Sequence, residues 1–439
     1  MVPLNARFGS FELRAIEADA ECEAIITSRE WGANLSDRFI LGEGPADRLI
    51  VAATVASGLP PVDLEDAFTS DLPLRPVAVA PDDLAAIFYT SGSTGMPKGT
   101  MQTHATILAY VFGYTAGFGF TSDDKTLVIA PLAFTGGCLS LLIPMMLIGA
   151  CAVIEKALVP ERVLSLIEAE RITFITQVPA IWERLPALPG FAGADLSSLR
   201  VAATGGAPVP VSLLETFRCK GVKIRQVYGC TEVGAMGCTP PVELSMRKPW
   251  CVGFPQVMLK ARIVDGDGKD CPPGMVGELW MKGPQVMTGY WRNEDATKAA
   301  FEDGYFKTGD LAQWDEEGTI TIVDRLKNMI ISGGVNIYPA EVERALASIG
   351  TIEECGVVGV ADDKWGERVV AIVHSRMAID TEILLTQMRP LLGPLKTPRE
   401  ILVSANPLPK TVTNKISRRD LGALYQELTS PSPAQTGVA

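Results

Sequence analysis

The chain reads YTSGSTGMPKGT over residues 89–100, directly after the apolar run 84–88. Glycine lacks a Cβ and reaches positive φ readily, so a backbone rich in glycine can approach an anion closely. Backbone N–H groups and Ser/Thr hydroxyls then donate to phosphate oxygens, and Lys98 adds a mobile positive charge. The stretch therefore predicts a phosphate-binding loop after a buried strand, in preference to an ordinary flexible polar loop.

The spacing excludes a Walker P-loop, whose lysine follows its second glycine directly, because Met96 and Pro97 separate Gly95 from Lys98 here. The stretch instead resembles the phosphate loop of the adenylate-forming superfamily, which contains acyl-CoA synthetases, peptide-synthetase adenylation domains and luciferases. Further matches to that family follow in the same order along the chain. They are GGAP at 205–208, YGCTE at 228–232, YFKTGD at 305–310, DRLKN at 324–328 and PKTVTNKI at 409–416.

Length, charge and cysteine content indicate how many domains the protein has and which partners and compartments suit it. A chain of 439 residues exceeds what one hydrophobic core usually organises, so two or more domains are expected. The net charge of −12 disfavours nucleic acid as a partner and broad docking on an anionic membrane. Nine dispersed cysteines without a C-x-x-C pair favour free thiols in the cytoplasm over a disulfide framework or a zinc site. The start of the chain lacks the pattern of a secretory signal.

An uncharged passage at residues 126–154 is long enough to span a bilayer. Pro131, Pro144 and Gly149 interrupt it, as does the glycine pair 136–137. These breaks predict a strand, a short helix and a second strand, which is a buried βαβ passage of a parallel sheet. We therefore expect no integral membrane segment.

The pattern of elements predicts an α/β protein in two parts. Strand-like runs alternate with helical patterns between residues 84 and 225, which indicates a mainly parallel sheet flanked by helices. Short strands and Gly/Asp/Pro turns from residue 254 indicate a small β-subdomain. We expect a large N-terminal AMP-binding domain at 1–325, a small mobile α+β C-terminal domain at 326–428 and a disordered tail at 429–439.

The match to the family begins well inside its first domain. Several dozen residues that form a helix-rich N-terminal layer in the family are expected to be missing before Met1. Either the sequence begins at a downstream methionine or the protein is a shortened member. Loss of that layer would uncover an apolar face, which predicts reduced solubility, a homodimer or low activity.

The resemblance assigns the nucleotide site residue by residue. Thr231 would donate to the α-phosphate of ATP, and Glu232 would hold Mg²⁺, a hard cation that prefers carboxylate and phosphate oxygens. Asp310 and Arg325 would bind the ribose. The residues that cradle the departing phosphates would be Thr90, Ser91, Gly92, Ser93, Thr94, Gly95 and Lys98. The residues against adenine would be Gly205, Gly206, Ala207, Tyr228 and Gly229.

The C-terminal matches imply a two-step cycle. Lys415 would be the catalytic lysine that bridges the substrate carboxylate and the α-phosphate as charge builds during adenylation. Lys327 occupies the family's hinge position, where rotation of the C-terminal domain would withdraw Lys415. The same rotation would bring up Gly333 and Gly334 to line a tunnel for the thiol arm of CoA. An ordinary turn is the alternative reading of this glycine pair.

The acyl pocket is the least specific part of the resemblance. Its expected walls are Phe134, Thr135, Gln177 and Ala235. Residues 133–135 contain no carboxylate to pair with an α-amino group, and a buried unpaired ammonium is costly, which disfavours an amino-acid substrate. The absence of Arg or Lys from these segments disfavours a dicarboxylate. A fatty or an aromatic monocarboxylic acid remains, with the fatty acid preferred, and Phe134 could equally be a plain core aromatic.

These observations predict an ATP- and Mg²⁺-dependent acid:CoA ligase that uses CoA as co-substrate. The first alternative is an adenylating module that loads a carrier protein. The second is a shortened, catalytically impaired nucleotide-binding homologue. A luciferase-type oxygenase would share every nucleotide motif.

Overall fold

The structure is a computed structural model that describes residues 1–5, 8–32, 35, 39–42, 47, 49–69, 76–90, 97–155, 159–207, 209–411 and 416–430. Its first part contains helices α1 (Ser10–Ala20), α2 (Arg29–Gly32) and α3 (Leu64–Thr69). An antiparallel sheet joins β1 (Ala24–Ser28), β2 (Leu49–Ala53) and β3 (Val62–Asp63) in that order. Helix α1 packs through Ile16 against Ile87 and Tyr89, so this part covers the strand that precedes the phosphate loop.

That strand, β4 (Leu84–Thr90), forms an antiparallel hairpin with β5 (Lys98–Thr103), and α4 (His104–Phe118) follows. The sequence pattern placed the strand in the mainly parallel sheet, and this expectation is wrong. The connection at 91–97 is too short for a parallel crossover, which needs about a dozen or more residues. The predicted phosphate loop therefore connects the two strands of a hairpin.

A parallel five-stranded sheet forms the centre of the N-terminal part, as predicted. Its strands are β6 (Lys125–Val128), β7 (Cys151–Ile154), β8 (Phe174–Gln177), β9 (Val201–Gly205) and β10 (Ile224–Val227), in the order β10-β9-β8-β6-β7. Between them run α5 (Thr135–Gly137), a π-helical turn (Cys138–Leu142), α6 (Ile143–Leu147), α7 (Pro160–Ala169), α8 (Pro179–Arg184) and α9 (Val211–Arg218). The uncharged passage is thus a strand–helix–strand unit of this sheet, but only its first strand, β6, is largely buried, because β7 lies at the edge of the sheet and is partly exposed. Within the described ranges, no helix has both the length and the apolar character needed to cross a membrane.

Side chains alternate between the two faces of this sheet. Phe174 belongs to one apolar cluster, together with Tyr110, Leu139 and Met236, which we call the Phe174 cluster. Ile175 belongs to the cluster on the other face, which we call the Ile175 cluster. Residues of β6, β8 and β9 belong to both clusters, so the middle of the sheet is covered on both faces.

An antiparallel β-subdomain follows, as the short strands and turns predicted. It contains β11 (Cys238–Thr239), α10 (Val242–Arg247), β12 (Phe254–Pro255), β13 (Lys260–Val264), β14 (Gly277–Lys282), β15 (Gly289–Tyr290), α11 (Glu294–Ala300), β16 (Phe301–Glu302), β17 (Tyr305–Trp314) and β18 (Ile320–Arg325). Its main sheet has the order β13-β14-β17-β16, with β18 on β17. Strand β15 leaves this sheet and pairs with β5, which couples the subdomain to the phosphate hairpin.

The C-terminal part is a compact α+β unit. It contains β19 (Ile330–Ser332), β20 (Val335–Ile337), α12 (Pro339–Ala347), β21 (Glu354–Asp362), β22 (Gly366–His374), α13 (Thr381–Lys396), β23 (Glu400–Ser404) and α14 (Arg418–Thr429). The sheet order is β20-β19-β22-β21, with β23 parallel to β22. Helices α12 and α13 pack on one face, and α14 packs on the other through Leu421 and Tyr425. Of the predicted tail at 429–439, residues 431–439 lie outside the described residues.

Candidate active site

The predicted adenine-side residues lie at the carboxyl ends of two adjacent parallel strands. Gly205 ends β9, and Tyr228 directly follows β10, whose Val227 pairs with Gly205. A Cβ on Gly205 would lie 2.7 Å from the carbonyl oxygen of Val227, so only glycine fits. Gly206 has a φ of +81°, which also favours glycine, and Ala207 follows it. Ligands of α/β proteins bind at this edge of the sheet.

The chain reverses sharply after Tyr228. A Cβ on Gly229 would lie 2.0 Å from the carbonyl oxygen of Ala235, so this position also requires glycine. The backbone N–H of Gly237 donates to the carbonyl of Tyr228 at 2.8 Å and closes the reversal. Between the two ends, a 3₁₀ turn at Thr231–Val233 carries the predicted α-phosphate donor and the predicted magnesium ligand.

The predicted ribose residues face each other across two strands. Asp310 in β17 pairs directly with Arg325 at the end of β18. The Nε of Arg325 lies 2.5 Å from the Oδ1 of Asp310, and the hydroxyl of Tyr228 donates to Oδ2 at 2.6 Å. Partial burial lowers the pKa of Arg325, but the carboxylates of Asp310 and Glu232 raise it, and the net direction is upward. The guanidinium therefore keeps its positive charge.

The phosphate side of the site is built on the hairpin. Lys98 is the first residue of β5, opposite Thr90 at the end of β4. The Nζ of Lys98 lies 5.3 Å from the ring centroid of Tyr290, whose hydroxyl donates to the Oε1 of Glu232 at 3.1 Å. The remaining predicted loop residues, Ser91, Gly92, Ser93, Thr94 and Gly95, lie outside the described residues.

Cys230 lies where the ribose and phosphate sides meet. Burial raises the pKa of this thiol, the carboxylates of Glu232 and Asp310 raise it further, and Arg325 opposes them. All three charged groups therefore lie within electrostatic range of one partly buried cysteine. A protonated thiol is a poor nucleophile. The structure thus places Glu232, Asp310 and Arg325 near the same cysteine, whose raised pKa favours the protonated thiol.

Two buried glutamines hold the Thr231–Val233 turn, and the sequence motifs did not reveal them. The Nε2 of Gln285 donates to the carbonyls of Val233 at 2.8 Å and Met236 at 3.0 Å. The Nε2 of Gln102, in β5, lies 3.4 Å from the carbonyl of Thr231. Their partners are far away in sequence, so no local pattern marks either residue.

The predicted acyl-pocket residues only partly share one surface. Phe134 precedes α5, buried Thr135 begins it, and Ala235 packs against the Phe174 cluster. The ring of Phe134 meets that of Phe8 edge-on, with centroids 6.4 Å apart. Gln177 lies on the sheet face of Ile175, whereas Thr176 shares the face of Phe174. Strand alternation thus favours Thr176 over Gln177 as the neighbour of Ala235.

The predicted hinge lies in a short exposed turn between the two parts of the chain. Lys327 is the middle residue of a 3₁₀ turn at Leu326–Asn328. Asp324 precedes it and accepts hydrogen bonds from the Nδ2 of Asn328 at 2.9 Å and the backbone N–H of Ala340 at 2.6 Å. The carboxylate therefore connects the end of β18 to the first turn of α12. The predicted catalytic Lys415 lies outside the described residues.

The glycine pair at 333–334 forms the turn between β19 and β20. Both residues have positive φ, +59° at Gly333 and +79° at Gly334, and Ser332 pairs with Val335 across the hairpin. Two-residue hairpin loops with positive φ at both positions strongly prefer glycine. The turn alone thus accounts for both glycines, and a CoA tunnel at this position stays a prediction.

The described acidic residues fit a magnesium site better than a closed metal cage. Across the described ranges, no three His, Cys, Asp or Glu side chains cluster so that they could hold a metal ion. Mg²⁺ is typically bound through one or two carboxylates together with substrate phosphates. Glu232 offers such a carboxylate on the phosphate side of the site, 3.1 Å from the hydroxyl of Tyr290. The donor set fits magnesium held between Glu232 and a nucleotide.

Comparison with known protein families agrees with this geometry. Residues 1–291 match the model of the AMP-binding enzyme family, and residues 341–415 match the AMP-binding enzyme C-terminal domain. The chain belongs to the AMP-binding enzyme family. The resemblance to the adenylate-forming superfamily that the motifs indicated is therefore confirmed.

Several relatives in this family are named CoA ligases. Feruloyl-CoA synthase of an Amycolatopsis species is 36% identical over 424 residues, which cover 96% of this chain and 82% of the relative. Indoleacetate–CoA ligase of Aromatoleum aromaticum is 34% identical over 435 residues, which cover 98% and 84% of the two chains.

Solved structures of the family share the fold. O-Succinylbenzoate coenzyme A synthetase of Bacillus subtilis, in complex with ATP and magnesium ion, superposes with a TM-score of 0.74 at 32% identity. The superposition covers 82% of this chain and 75% of that protein. The mixed α/β architecture with a small C-terminal part is thus that of the AMP-binding enzymes.

Proposed function

We propose that this AMP-binding enzyme is an ATP-dependent acid:CoA ligase. It converts a carboxylic acid to an acyl-AMP with release of pyrophosphate, and it then transfers the acyl group to the thiol of CoA. The observation that carries the proposal is the convergence of Lys98, Tyr228, Glu232, Asp310 and Arg325 on one site from separate segments of the chain. The CoA-ligase names of the relatives support the same activity.

The nucleoside half of ATP would be held by the adenine and ribose residues. Tyr228 offers an aromatic face to adenine, and Gly205 and Gly206 allow the backbone to come close. Asp310 would accept hydrogen bonds from the ribose hydroxyls, and Arg325 would donate to the same sugar. Their mutual contacts preset both side chains, so little conformational freedom is lost when the nucleotide binds.

The phosphate half of ATP would bind between the hairpin and the Thr231–Val233 turn. Lys98 and Thr90, with the hydroxyls of the loop at 91–95, would neutralise and bind the departing phosphates. Thr231 would donate to the α-phosphate. Glu232 would hold Mg²⁺, which when bound withdraws charge from the phosphates. These contacts orient the α-phosphorus for in-line attack by the substrate carboxylate.

The second half-reaction would use the C-terminal part. Lys415 would bridge the carboxylate and the α-phosphate during adenylation, when negative charge builds there. Rotation at Lys327 would then remove it and bring the turn at Gly333 and Gly334 to the site, where the thiol arm of CoA enters. The exposed 3₁₀ turn that contains Lys327 is a short segment able to absorb such a change in φ and ψ.

For the acid itself we propose an aromatic monocarboxylate. The sequence alone favoured a fatty acid, but the relatives at 34–36% identity are named for feruloyl and indoleacetate groups, both of which carry aromatic rings. Phe134, Thr135 and Ala235, with Thr176 or Gln177, would form the walls of the acyl pocket. Phe8 already meets Phe134 edge-on, and an aryl ring could contact Phe134 in the same way.

We further propose that the protein works in the cytoplasm, where ATP and CoA are both available. Its nine cysteines are free thiols, which suits a reducing compartment. A homodimer is also proposed, because the uncharged helix α4 exposes Leu108 by 55% and Phe112 by 62% one turn apart. Light scattering of the purified protein tests the dimer, which a monomeric mass at micromolar concentration would contradict.

The experiment that tests the function is ATP–pyrophosphate exchange, measured with each acid of a panel in turn. The panel contains hydroxycinnamic and aryl-acetic acids, fatty acids and amino acids. We expect exchange that depends on an aromatic acid and on Mg²⁺, and formation of its thioester when CoA is added. Exchange without thioester formation from CoA would favour the carrier-protein alternative. No exchange with any acid, by a protein that binds ATP, would favour the impaired homologue.

A further inference from the structure

Tyr290 lies between the two phosphate-side groups of the site and contacts both. Its hydroxyl donates to the Oε1 of Glu232 at 3.1 Å, and its ring lies beneath the Nζ of Lys98, 5.3 Å from the centroid. We propose that Tyr290 is a positioning residue that orients Glu232 for the metal and Lys98 for the phosphates. The inference rests on the proposed function, since it concerns how this chain binds ATP with Mg²⁺.

The backbone of Tyr290 is fixed from several sides. In strand β15 it pairs with Thr100 of β5, and the N–H of Trp291 donates to the carbonyl of Gly99 at 2.7 Å. The N–H of Tyr290 itself donates to the Oγ1 of Thr297 at 2.9 Å. Because β5 begins at Lys98, the tyrosine and the lysine lie on paired strands of one small sheet. The ring thus has a defined position relative to the ammonium group.

The hydroxyl of Tyr290 is suited to hold a carboxylate. The phenol carries one O–H donor, and the Oε1 of Glu232 accepts from it at 3.1 Å. A hydrogen bond to an ionised acceptor is stronger than one between neutral groups. Its effect is to restrict the rotation of the Glu232 side chain about its terminal bond.

The ring of Tyr290 has a separate effect on Lys98. A lysine ammonium over an aromatic face is attracted by the ring quadrupole, and the attraction grows when the pair is shielded from water. Tyr290 packs against the buried cluster that contains Val233 and Met287, so one side of the ring is shielded. The hydroxyl therefore acts on the metal ligand, and the ring acts on the phosphate ligand. The two effects can be separated by substitution.

Two substitutions separate them. Tyr290→Phe removes the hydroxyl and keeps the ring, and Tyr290→Leu removes both. Binding is measured by calorimetry with an ATP analogue whose α,β bridge cannot be cleaved, once with Mg²⁺ and once with EDTA. Loss of a group that orients a metal ligand typically costs about 10- to 100-fold in metal affinity. We therefore expect the Tyr290→Phe variant to need about 10-fold or more Mg²⁺ to bind the analogue as tightly as the parent does, and to bind it in EDTA with unchanged affinity. The Tyr290→Leu variant should bind the analogue more weakly in EDTA as well.

The matched control is Tyr425→Phe, which removes a phenol that accepts a hydrogen bond from Arg368 at 2.6 Å in the C-terminal part. It should leave the Mg²⁺ dependence unchanged. Tyr290→His restores an N–H donor, so this variant should need less Mg²⁺ than Tyr290→Phe does. A role of Tyr290 in packing alone would not predict this difference. In a Glu232→Gln background, Tyr290→Phe should have no further effect on the metal dependence, because residues that act as a unit are not additive.

Equal weakening of binding by Tyr290→Phe with and without Mg²⁺ would overturn the proposal, as would wild-type metal dependence in that variant. If Tyr290→Phe fails to fold by circular dichroism, the His variant carries the test. A folded Tyr290→His variant that needs as much Mg²⁺ as Tyr290→Leu then counts against the proposal. Failure of the proposed function is seen in a different measurement, because the unaltered protein would then show no acid-dependent ATP–pyrophosphate exchange.

Discussion

The hydroxyl of Tyr228 donates to the Oδ2 of Asp310 at 2.6 Å, although 82 positions separate the two residues. Tyr228 follows the parallel sheet, and Asp310 belongs to the antiparallel subdomain, so this hydrogen bond connects the two. The second oxygen of Asp310 is held by Arg325 at 2.5 Å. The carboxylate is therefore oriented before a nucleotide arrives, which is the condition for tight and geometrically specific binding.

Asp310→Asn should weaken the binding of AMP. The amide keeps the size of the side chain but removes the negative charge that would accept the ribose hydroxyls, and hydrogen bonds to a charged group are worth about 1.5–3 kcal/mol. A loss of about 2 kcal/mol corresponds to roughly 30-fold in affinity. Calorimetry with AMP measures this, and Asp267→Asn, in an exposed turn, is the control. Unchanged AMP affinity would place the ribose elsewhere.

Lys415→Ala should abolish adenylation and largely spare thioester formation from a pre-made acyl-adenylate. A preorganised donor to the developing charge usually contributes about 3–4 kcal/mol to lowering the barrier, and this donor is needed in the first step only. Pyrophosphate exchange reports the first step, and release of AMP from the acyl-adenylate with CoA reports the second.

Lys410→Ala serves as the control for Lys415→Ala. Lys410 lies in the same segment, but its Nζ pairs with the Oε1 of Glu354 at 2.6 Å within the C-terminal part. Removing this ion pair, whose side chains are 35% and 19% exposed, should change neither half-reaction by more than about twofold, because partly exposed ion pairs contribute little. Equal loss of both half-reactions in Lys415→Ala would contradict the assigned role.

Lys327→Pro should slow thioester formation more than adenylation. Proline restricts φ to about −65°, so it limits the rotation expected at this turn and leaves one conformation favoured. Quenched single-turnover assays of each half-reaction measure the two rates. Lys327→Ala removes the charge without restricting the backbone and should leave both rates close to those of the parent. A similar slowing by both variants would assign the effect to the charge.

Asp124→Asn should destabilise the protein at neutral pH and have less effect in acid. Burial alone would raise the pKa of Asp124, but hydrogen bonds from Arg200 at 2.6 Å, from the backbone of Thr121 and from Thr173 hold it below its ordinary value. Because the folded pKa is the lower one, the stabilisation is complete above the unfolded pKa near 4 and is lost as pH falls through the folded value.

The expected loss on Asp124→Asn is about 1–3 kcal/mol in the free energy of unfolding at pH 7. Urea unfolding at a series of pH values between 7 and 3.5 measures it. The difference between parent and variant should shrink as the pH falls below about 4. A constant difference across that range would show that the ionised carboxylate is not the stabilising form.

Local pattern predicted the regular parts of the fold well. Strand-like runs alternate with helical patterns at 126–154 and 173–227, and this order predicted a parallel sheet flanked by helices. The same runs could not show that β4 leaves this sheet for a hairpin with β5. That choice depends on which edge accepts the strand, a property of the folded chain.

The sequence by itself determined the superfamily, the two-part α/β architecture and the nucleotide motifs. The reason is that the residues of each motif are neighbours in the chain, so the motif can be recognised without the fold. Only the tertiary structure decided how those motifs are connected. Tyr290 bonds to Glu232 across 58 positions, and Gln285 bonds to Val233 across 52. No local periodicity encodes such pairs, because they form only when separate sheets pack and bury polar groups that must then find partners.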